Sequence, residues 1–203
     1  HDHRVPLLVD ATFSTPFLIR PFEHGADLVY HSATKFLCGH GTVVGGLLVD
    51  SGRFDWDASA KFPELSEPYE GFHGMVFSEE STVAPFLLRA RREGLRDFGA
   101  CLSPMNAFQI LQGIETLPLR MARHVANAER VARFLAEHPM VERVAYPGLD
   151  SHPDHALARR LMPRGCGAVI GFDLKGDRAT GRRFVESLRI FSRERSELER
   201  LQE

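Results

Sequence analysis

The hydrophobic and polar positions of this chain predict strands and helices that alternate at both ends. Short apolar runs rich in β-branched residues predict buried strands at 5–10, 26–32 and 42–50. Apolar residues at helical spacing predict helices over 79–101, 103–117 and 117–139, and Ser103 followed by Pro104 is a typical helix start. Further on, the pattern predicts strands at 141–148 and 167–176 and helices at 152–163 and 177–190.

This order of elements predicts an α/β fold. The first part is expected to contribute to a parallel or mixed sheet, and the last part to form a smaller α/β layer. A domain boundary is expected within the long helix that ends near Pro139. We therefore divide the chain into part of a large domain at 1–125 and part of a small C-terminal domain at 126–203.

Composition narrows the possible functions. With 203 residues, 43% of them hydrophobic, the chain is long enough for a packed core. A net charge of -2 gives no support to a nucleic-acid or membrane partner. The three cysteines are far apart, which favours a reducing compartment, and the ten histidines lack the spacing of a metal site. No metal is therefore predicted.

Polar residues follow two of the predicted strands. Asp10 closes the first strand, and Ser32 closes the second and leads directly into Thr34 and Lys35. Because the carboxyl ends of parallel strands form a ligand crevice, these residues are expected to face one site. Two hydroxyls suit a phosphate, a lysine forms a Schiff base with an aldehyde, and a carboxylate is the partner of a pyridinium nitrogen. The set fits pyridoxal 5'-phosphate (PLP), although strands also end in Asp, Ser or Lys simply for solvation.

Five blocks of the sequence resemble the Cys/Met-metabolism family of PLP-dependent enzymes. The blocks are VDATF, PFEHGADLVYHSATKFLCGHG, SGRFDW, FGACLSPMNAFQILQGIETLPLRMARH and YPGLDSHPDHALARRLMP. The resemblance extends from about residue 1 to about residue 192, and the HSATK signature is its most specific part. Within the family, GFHGMVF and GACLSPMNAF are most similar to the O-acetylhomoserine sulfhydrylases.

The resemblance implies the type I fold of PLP-dependent transferases, the fold of aspartate aminotransferase, and a role for each matching residue. Lys35 would be the Schiff-base lysine, which later carries protons to and from the substrate. Asp10 would keep the pyridinium nitrogen protonated, and Thr12 would support the region of the ring hydroxyl. Ser32 and Thr34 would bind the phosphate.

The activity implied is a γ-replacement in methionine and cysteine biosynthesis, which converts O-acetyl-L-homoserine and sulfide to L-homocysteine and acetate. A cystathionine γ-synthase or γ-lyase of the same family is the alternative within the class. A catalytically inactive fragment is the alternative outside it. The resemblance also implies a cytoplasmic homotetramer with an amino-acid substrate.

The sequence departs from the family pattern in three places. Ala11 stands where the family usually has Asn, and family segments expected before the Asp10 strand and after about residue 192 are not matched. We therefore expect a fragment of a longer enzyme, altered or truncated near Arg193. Ser192 aligns with a family position near the substrate carboxylate, which makes it a candidate substrate-binding residue.

Overall fold

The structure is a computed structural model, and it describes residues 3–190. Its strands are β1 (Leu8–Asp10), β2 (Leu28–Ser32), β3 (Gly46–Asp50), β4 (Val141–Ala145) and β5 (Gly171–Leu174). Its α-helices are α1 (Thr15–Leu18), α2 (Pro63–Ser66), α3 (Phe77–Glu80), α4 (Pro85–Arg89), α5 (Pro104–Glu115), α6 (Leu117–Glu137), α7 (His155–Leu161) and α8 (Arg178–Ser187). Short 3-10 helices lie at Pro21–His24 and Glu70–Phe72, a π-helical turn lies at Ala33–Leu37, and a π-helix at Ala90–Asp97 continues α4. The predicted α/β class is confirmed.

The first sheet is mixed, with strand order β1-β2-β3. Strand β1 pairs with β2 in parallel, with Asp10 opposite Tyr30, whereas β3 returns antiparallel to β2. The chain turns back because the backbone of Thr34, just after β2, bonds to the carbonyl of Gly45, just before β3, at 3.2 Å. The carboxyl ends of β1 and β2 therefore share one edge of the sheet, as the sequence predicts.

Two helices begin with a side-chain cap, and the first of these starts is the one predicted at Ser103. The Ser103 hydroxyl accepts the Asn106 N–H at 3.1 Å, which caps α5. In the same way, the Asp177 carboxylate accepts the Thr180 N–H at 2.9 Å at the start of α8.

The prediction of one or two helices over 79–101 is confirmed in part. Helix α3 ends at Glu80, and α4 then continues directly into the π-helix Ala90–Asp97, so that one helical run covers residues 85–97. Pro85 causes the break between α3 and α4, because a residue before proline is disfavoured in the helical conformation, and Ala84 is accordingly non-helical at φ -145° and ψ 59°.

Helix α6 connects two hydrophobic clusters. Its first half buries Met121 and Val125 against Leu18, Leu37 and neighbouring side chains. Its second half buries small residues under Tyr146, which lies beside the antiparallel sheet of β4 and β5. The boundary predicted between residues 125 and 126 falls on this helix, between the two clusters, and it stays a prediction. No helix within residues 3–190 combines the length and apolarity that crossing a membrane would require.

Tyr146 anchors the second cluster with a buried hydrogen bond. Its side chain is fully buried, and its hydroxyl donates to the Gly167 carbonyl at 3.0 Å. Burial raises the pKa of Tyr146 to about 12, so the hydroxyl keeps its proton at neutral pH.

We expect Tyr146→Phe to lower the free energy of unfolding by about 1–3 kcal/mol, because the buried Gly167 carbonyl then lacks a partner. Urea unfolding followed by circular dichroism measures the change. Tyr30→Phe is the matched control, since the Tyr30 hydroxyl has no hydrogen bond within residues 3–190. That control is expected to stay within about 0.5 kcal/mol of the wild type. An equal loss of unfolding free energy in the two variants would contradict a stabilising role for the hydrogen bond from Tyr146 to Gly167.

Candidate active site

The edge where β1 and β2 end brings the predicted site residues together. Asp10 is the last residue of β1 and Ser32 is the last residue of β2. The chains that leave the two strands are joined directly, because the Ser32 N–H donates to the Thr12 hydroxyl at 2.8 Å. Thr12 thus links the two strand ends, a role that sequence analysis did not assign to it.

Asp10 presents an ionised carboxylate at this edge. Its Oδ1 accepts the Thr12 N–H at 2.9 Å, and the side chain itself is exposed. Hydrogen bonds from the Thr12 side chain and backbone hold the pKa of Asp10 below its usual value. The carboxylate is therefore charged at neutral pH, as the partner of a pyridinium nitrogen has to be.

His31 supports the same edge from inside and was missed by sequence analysis. Its ring is buried, with 4% exposed, and its Nδ1 lies 3.1 Å from the Ala11 carbonyl. Burial lowers the pKa of His31, so the ring is neutral at neutral pH and its Nδ1–H donates to that carbonyl. The only available signal was a histidine inside an otherwise apolar strand.

Lys35 lies in the turn Ala33–Leu37 that follows β2 without a break. At Lys35 itself the backbone leaves the helical conformation, with φ -85° and ψ -124°. Its side chain is exposed, and its amine has no hydrogen bond or ion pair within residues 3–190. The other two lysines differ, because Lys61 donates to the His3 carbonyl at 2.6 Å and Lys175 to the Pro139 carbonyl at 2.7 Å.

The two hydroxyls proposed for the phosphate have different surroundings. The Ser32 hydroxyl has no partner in the described part of the chain. The Thr34 hydroxyl donates to the Gly45 carbonyl at 3.3 Å and accepts the Gly45 N–H at 3.1 Å. Ser32 is therefore open to a ligand, whereas Thr34 also closes the connection to β3. Ser192 lies outside the described residues.

The site is an open edge of the sheet. A cleft of about 290 Å³ lies elsewhere, between the segment that contains α1 and the end of α7, and none of the predicted site residues line it. We place the candidate active site at the open edge because the unpartnered polar groups are there.

These groups fit PLP. An unpartnered amine, an ionised carboxylate and an unpartnered hydroxyl match the aldehyde, the ring nitrogen and the phosphate of the cofactor. They lie on one sheet edge within two neighbouring strand ends and the turn that follows. The fold and these residues are therefore compatible with the type I class of PLP-dependent transferases.

The comparisons with known proteins agree with this class. Residues 1–197 match the family described as Cys/Met metabolism PLP-dependent enzyme, and the chain belongs to this family. It is 48% identical to a homocysteine synthase of Schizosaccharomyces pombe, over 95% of this chain and 45% of that protein. It is 47% identical to an O-acetyl-L-homoserine sulfhydrylase of Leptospira meyeri, over 93% of this chain and 44% of that protein.

A solved structure supports both the fold and the cofactor. A Campylobacter jejuni protein, assigned as an O-acetylhomoserine (thiol)-lyase, superposes with a TM-score of 0.86 at 34% identity. The match covers 95% of this chain and 48% of that one, whose structure contains a pyridoxyl-lysine monophosphate. The chain thus spans somewhat less than half the length of the relatives it matches.

We expect Thr12→Val to raise the pKa of Asp10 relative to the wild type, because the variant loses the hydroxyl that stabilises the ionised carboxylate. As the pH falls, the variant therefore loses the negative charge of Asp10 earlier than the wild type does. Titration of the carboxyl carbon by NMR measures this. Thr34→Val is the control, since that hydroxyl bonds to Gly45 instead. An unchanged pKa in Thr12→Val would refute the role of the hydroxyl.

Proposed function

We propose that the protein uses PLP to convert O-acetyl-L-homoserine and sulfide to L-homocysteine and acetate, as part of methionine and cysteine biosynthesis. The observation that carries the proposal is the unpartnered Lys35 amine in the turn after β2 and the ionised Asp10 at the end of the neighbouring β1, in a chain that is 47% identical to an O-acetyl-L-homoserine sulfhydrylase. Because the chain spans less than half of that relative, the activity is proposed for the protein as a whole.

PLP supplies an electron sink that stabilises negative charge on substrate carbon. Asp10 would serve this chemistry by offering a negative charge to the ring nitrogen, which would keep that nitrogen protonated. The hydrogen bonds from Thr12 lower the pKa of Asp10 and so favour its ionised form.

Lys35 would hold the cofactor through its Nζ. When released from the cofactor, the same amine would accept a proton from substrate carbon and return protons later. Its freedom from protein partners suits both tasks, since no hydrogen bond within residues 3–190 has to be broken first.

Ser32 and Thr34 orient the cofactor through its phosphate. The Ser32 hydroxyl is available to donate, and the Thr34 hydroxyl has to share its hydrogen bonds with Gly45. We therefore assign Ser32 the stronger contact. The working enzyme is proposed to be a cytoplasmic homotetramer, as the family resemblance implies.

The choice of sulfur nucleophile separates the proposed activity from its rivals. With O-acetyl-L-homoserine as substrate, sulfide yields homocysteine and cysteine yields cystathionine. Preferential formation of cystathionine would make the protein a cystathionine γ-synthase, and cleavage of preformed cystathionine would make it a γ-lyase. Absence of product with every nucleophile would support an inactive chain.

We expect borohydride reduction of the chain with PLP to attach a pyridoxyl group to Lys35 in preference to Lys61 and Lys175, the other two lysines of the sequence. The reason is that both of these amines already donate to backbone carbonyls, whereas the Lys35 amine has no such partner within residues 3–190. Peptide mass spectrometry locates the adduct.

Lys35→Ala is the matched control and should remove the preferred adduct while leaving the slow background on the other lysines. Equal labelling of all three lysines in the wild type would overturn the assignment of Lys35, because ordinary surface amines react without selection.

A further inference from the structure

Arg120 binds the lysine turn, Ala33–Leu37, which carries Lys35. Its Nη1 donates to the Phe36 carbonyl at 2.8 Å, and its Nη2 donates to the Leu37 carbonyl at 3.2 Å. The same Nη2 donates to the Gly113 carbonyl at 2.7 Å, and Nε donates to the Thr116 hydroxyl at 3.1 Å. One guanidinium thus connects the residues directly after Lys35 to the junction between α5 and α6.

The two carbonyls after Lys35 have no backbone partner in the described part of the chain. The turn closes with the Cys38 N–H on the Ala33 carbonyl at 3.0 Å and the Gly39 N–H on the Lys35 carbonyl at 2.8 Å. The carbonyls of Phe36 and Leu37 are therefore left over, as at any helical C-terminus. Arg120 satisfies both with charge-assisted hydrogen bonds, which are stronger than neutral ones.

The position of Arg120 in its own helix is unfavourable unless it serves this purpose. It lies in the first turn of α6, where the helix dipole disfavours a positive charge. Its guanidinium, however, points at two C-terminal ends, those of the lysine turn and of α5, where the dipole favours a positive charge. The hydrogen bonds to these two C-terminal ends therefore explain why an arginine occupies a position in α6 that the dipole of its own helix disfavours.

Two glycines make this close approach possible. A Cβ at Gly39 would collide with the Arg120 guanidinium, and a Cβ at Gly113 would collide with the Cys38 carbonyl. Gly39 also has a φ of +72°, which other residues rarely adopt. Helix α6 holds Phe36 by its ring as well, since the His124 ring lies edge-on to it at 5.3 Å.

We infer that Arg120 is the positioning residue for Lys35: it fixes the end of the lysine turn, as Ser32 and Thr12 fix its beginning. The inference rests on the proposed function in so far as Lys35 is the lysine that holds the cofactor. Arg120 acts through the backbone carbonyls of Phe36 and Leu37.

The first test is hydrogen exchange of the chain without cofactor. Arg120→Ala is expected to speed exchange of the Cys38 and Gly39 amides about tenfold, because the loss of hydrogen bonds to a charged group loosens the turn. Amides of β4 and β5 are the internal reference and should be unchanged. Millimolar guanidinium chloride is expected to restore protection, since the free ion can occupy the vacated position.

Two further variants separate positioning from charge and from general stability. Arg120→Lys keeps the charge and most of the stem, but a point-like ammonium cannot bridge three carbonyls, so its exchange should resemble that of Arg120→Ala. Arg123→Ala removes an exposed arginine one turn further along α6 and should behave like the wild type. The inference would be overturned if the Cys38 and Gly39 amides of Arg120→Ala exchanged at the wild-type rate. It would also be overturned if the exchange rates of the β4 and β5 amides rose by the same factor.

The second test links the turn to the cofactor. Arg120→Ala should lose the preference of pyridoxyl labelling for Lys35 over Lys61 and Lys175, and guanidinium should restore it. If the wild type and Arg120→Ala both label Lys35 with the same preference over Lys61 and Lys175, the inference fails and the proposed function stands. If the wild type shows no preference, the proposed function fails, and hydrogen exchange alone decides whether Arg120 holds the turn.

Discussion

The parallel pairing of β1 with β2 is the constraint on which the candidate site depends. Parallel strands end at the same edge, and the register sets Asp10 opposite Tyr30, so the residues that follow each strand meet. Burial of Val29 and His31 on β2 fixes that register, because a slip by one residue would turn both side chains to the opposite face. The bond from the Ser32 N–H to the Thr12 hydroxyl then joins the two chains where they leave the sheet.

The lysine turn is held at both ends by different parts of the molecule. The sheet edge determines where the turn begins, at Ser32, and the junction between α5 and α6 determines where it ends, through Arg120. Between these anchors the backbone departs from helical geometry at Lys35 alone, and the amine is left without a partner among residues 3–190. A turn restrained on both sides can present a long flexible side chain from a fixed Cα position.

The parts predictable from sequence were those encoded locally. Asp10 and Ser32 close apolar runs, Lys35 follows Ser32 by three residues, and Ser103 with Pro104 marks the start of α5. The contribution of Arg120 was not predictable, because its partners in the turn that carries Lys35 lie more than eighty residues away in the sequence. The direction of β3 depends on contacts between strands, and the break between α3 and α4 depends on Pro85, and apolar spacing records neither.

In the proposed function, Thr12 would serve the chemistry without contacting the reacting atoms. A ring that covers Asp10 would remove water from the carboxylate, and such desolvation by itself raises the pKa of an acid. The hydrogen bonds from Thr12 oppose this effect, and they are formed before any ligand arrives. If a pyridinium ring binds there, as in the proposed function, Asp10 would therefore remain ionised, and the positive charge of the ring would add to the same effect. The hydroxyl that joins the two strand ends is thus also the group that lowers the pKa of the neighbouring carboxylate.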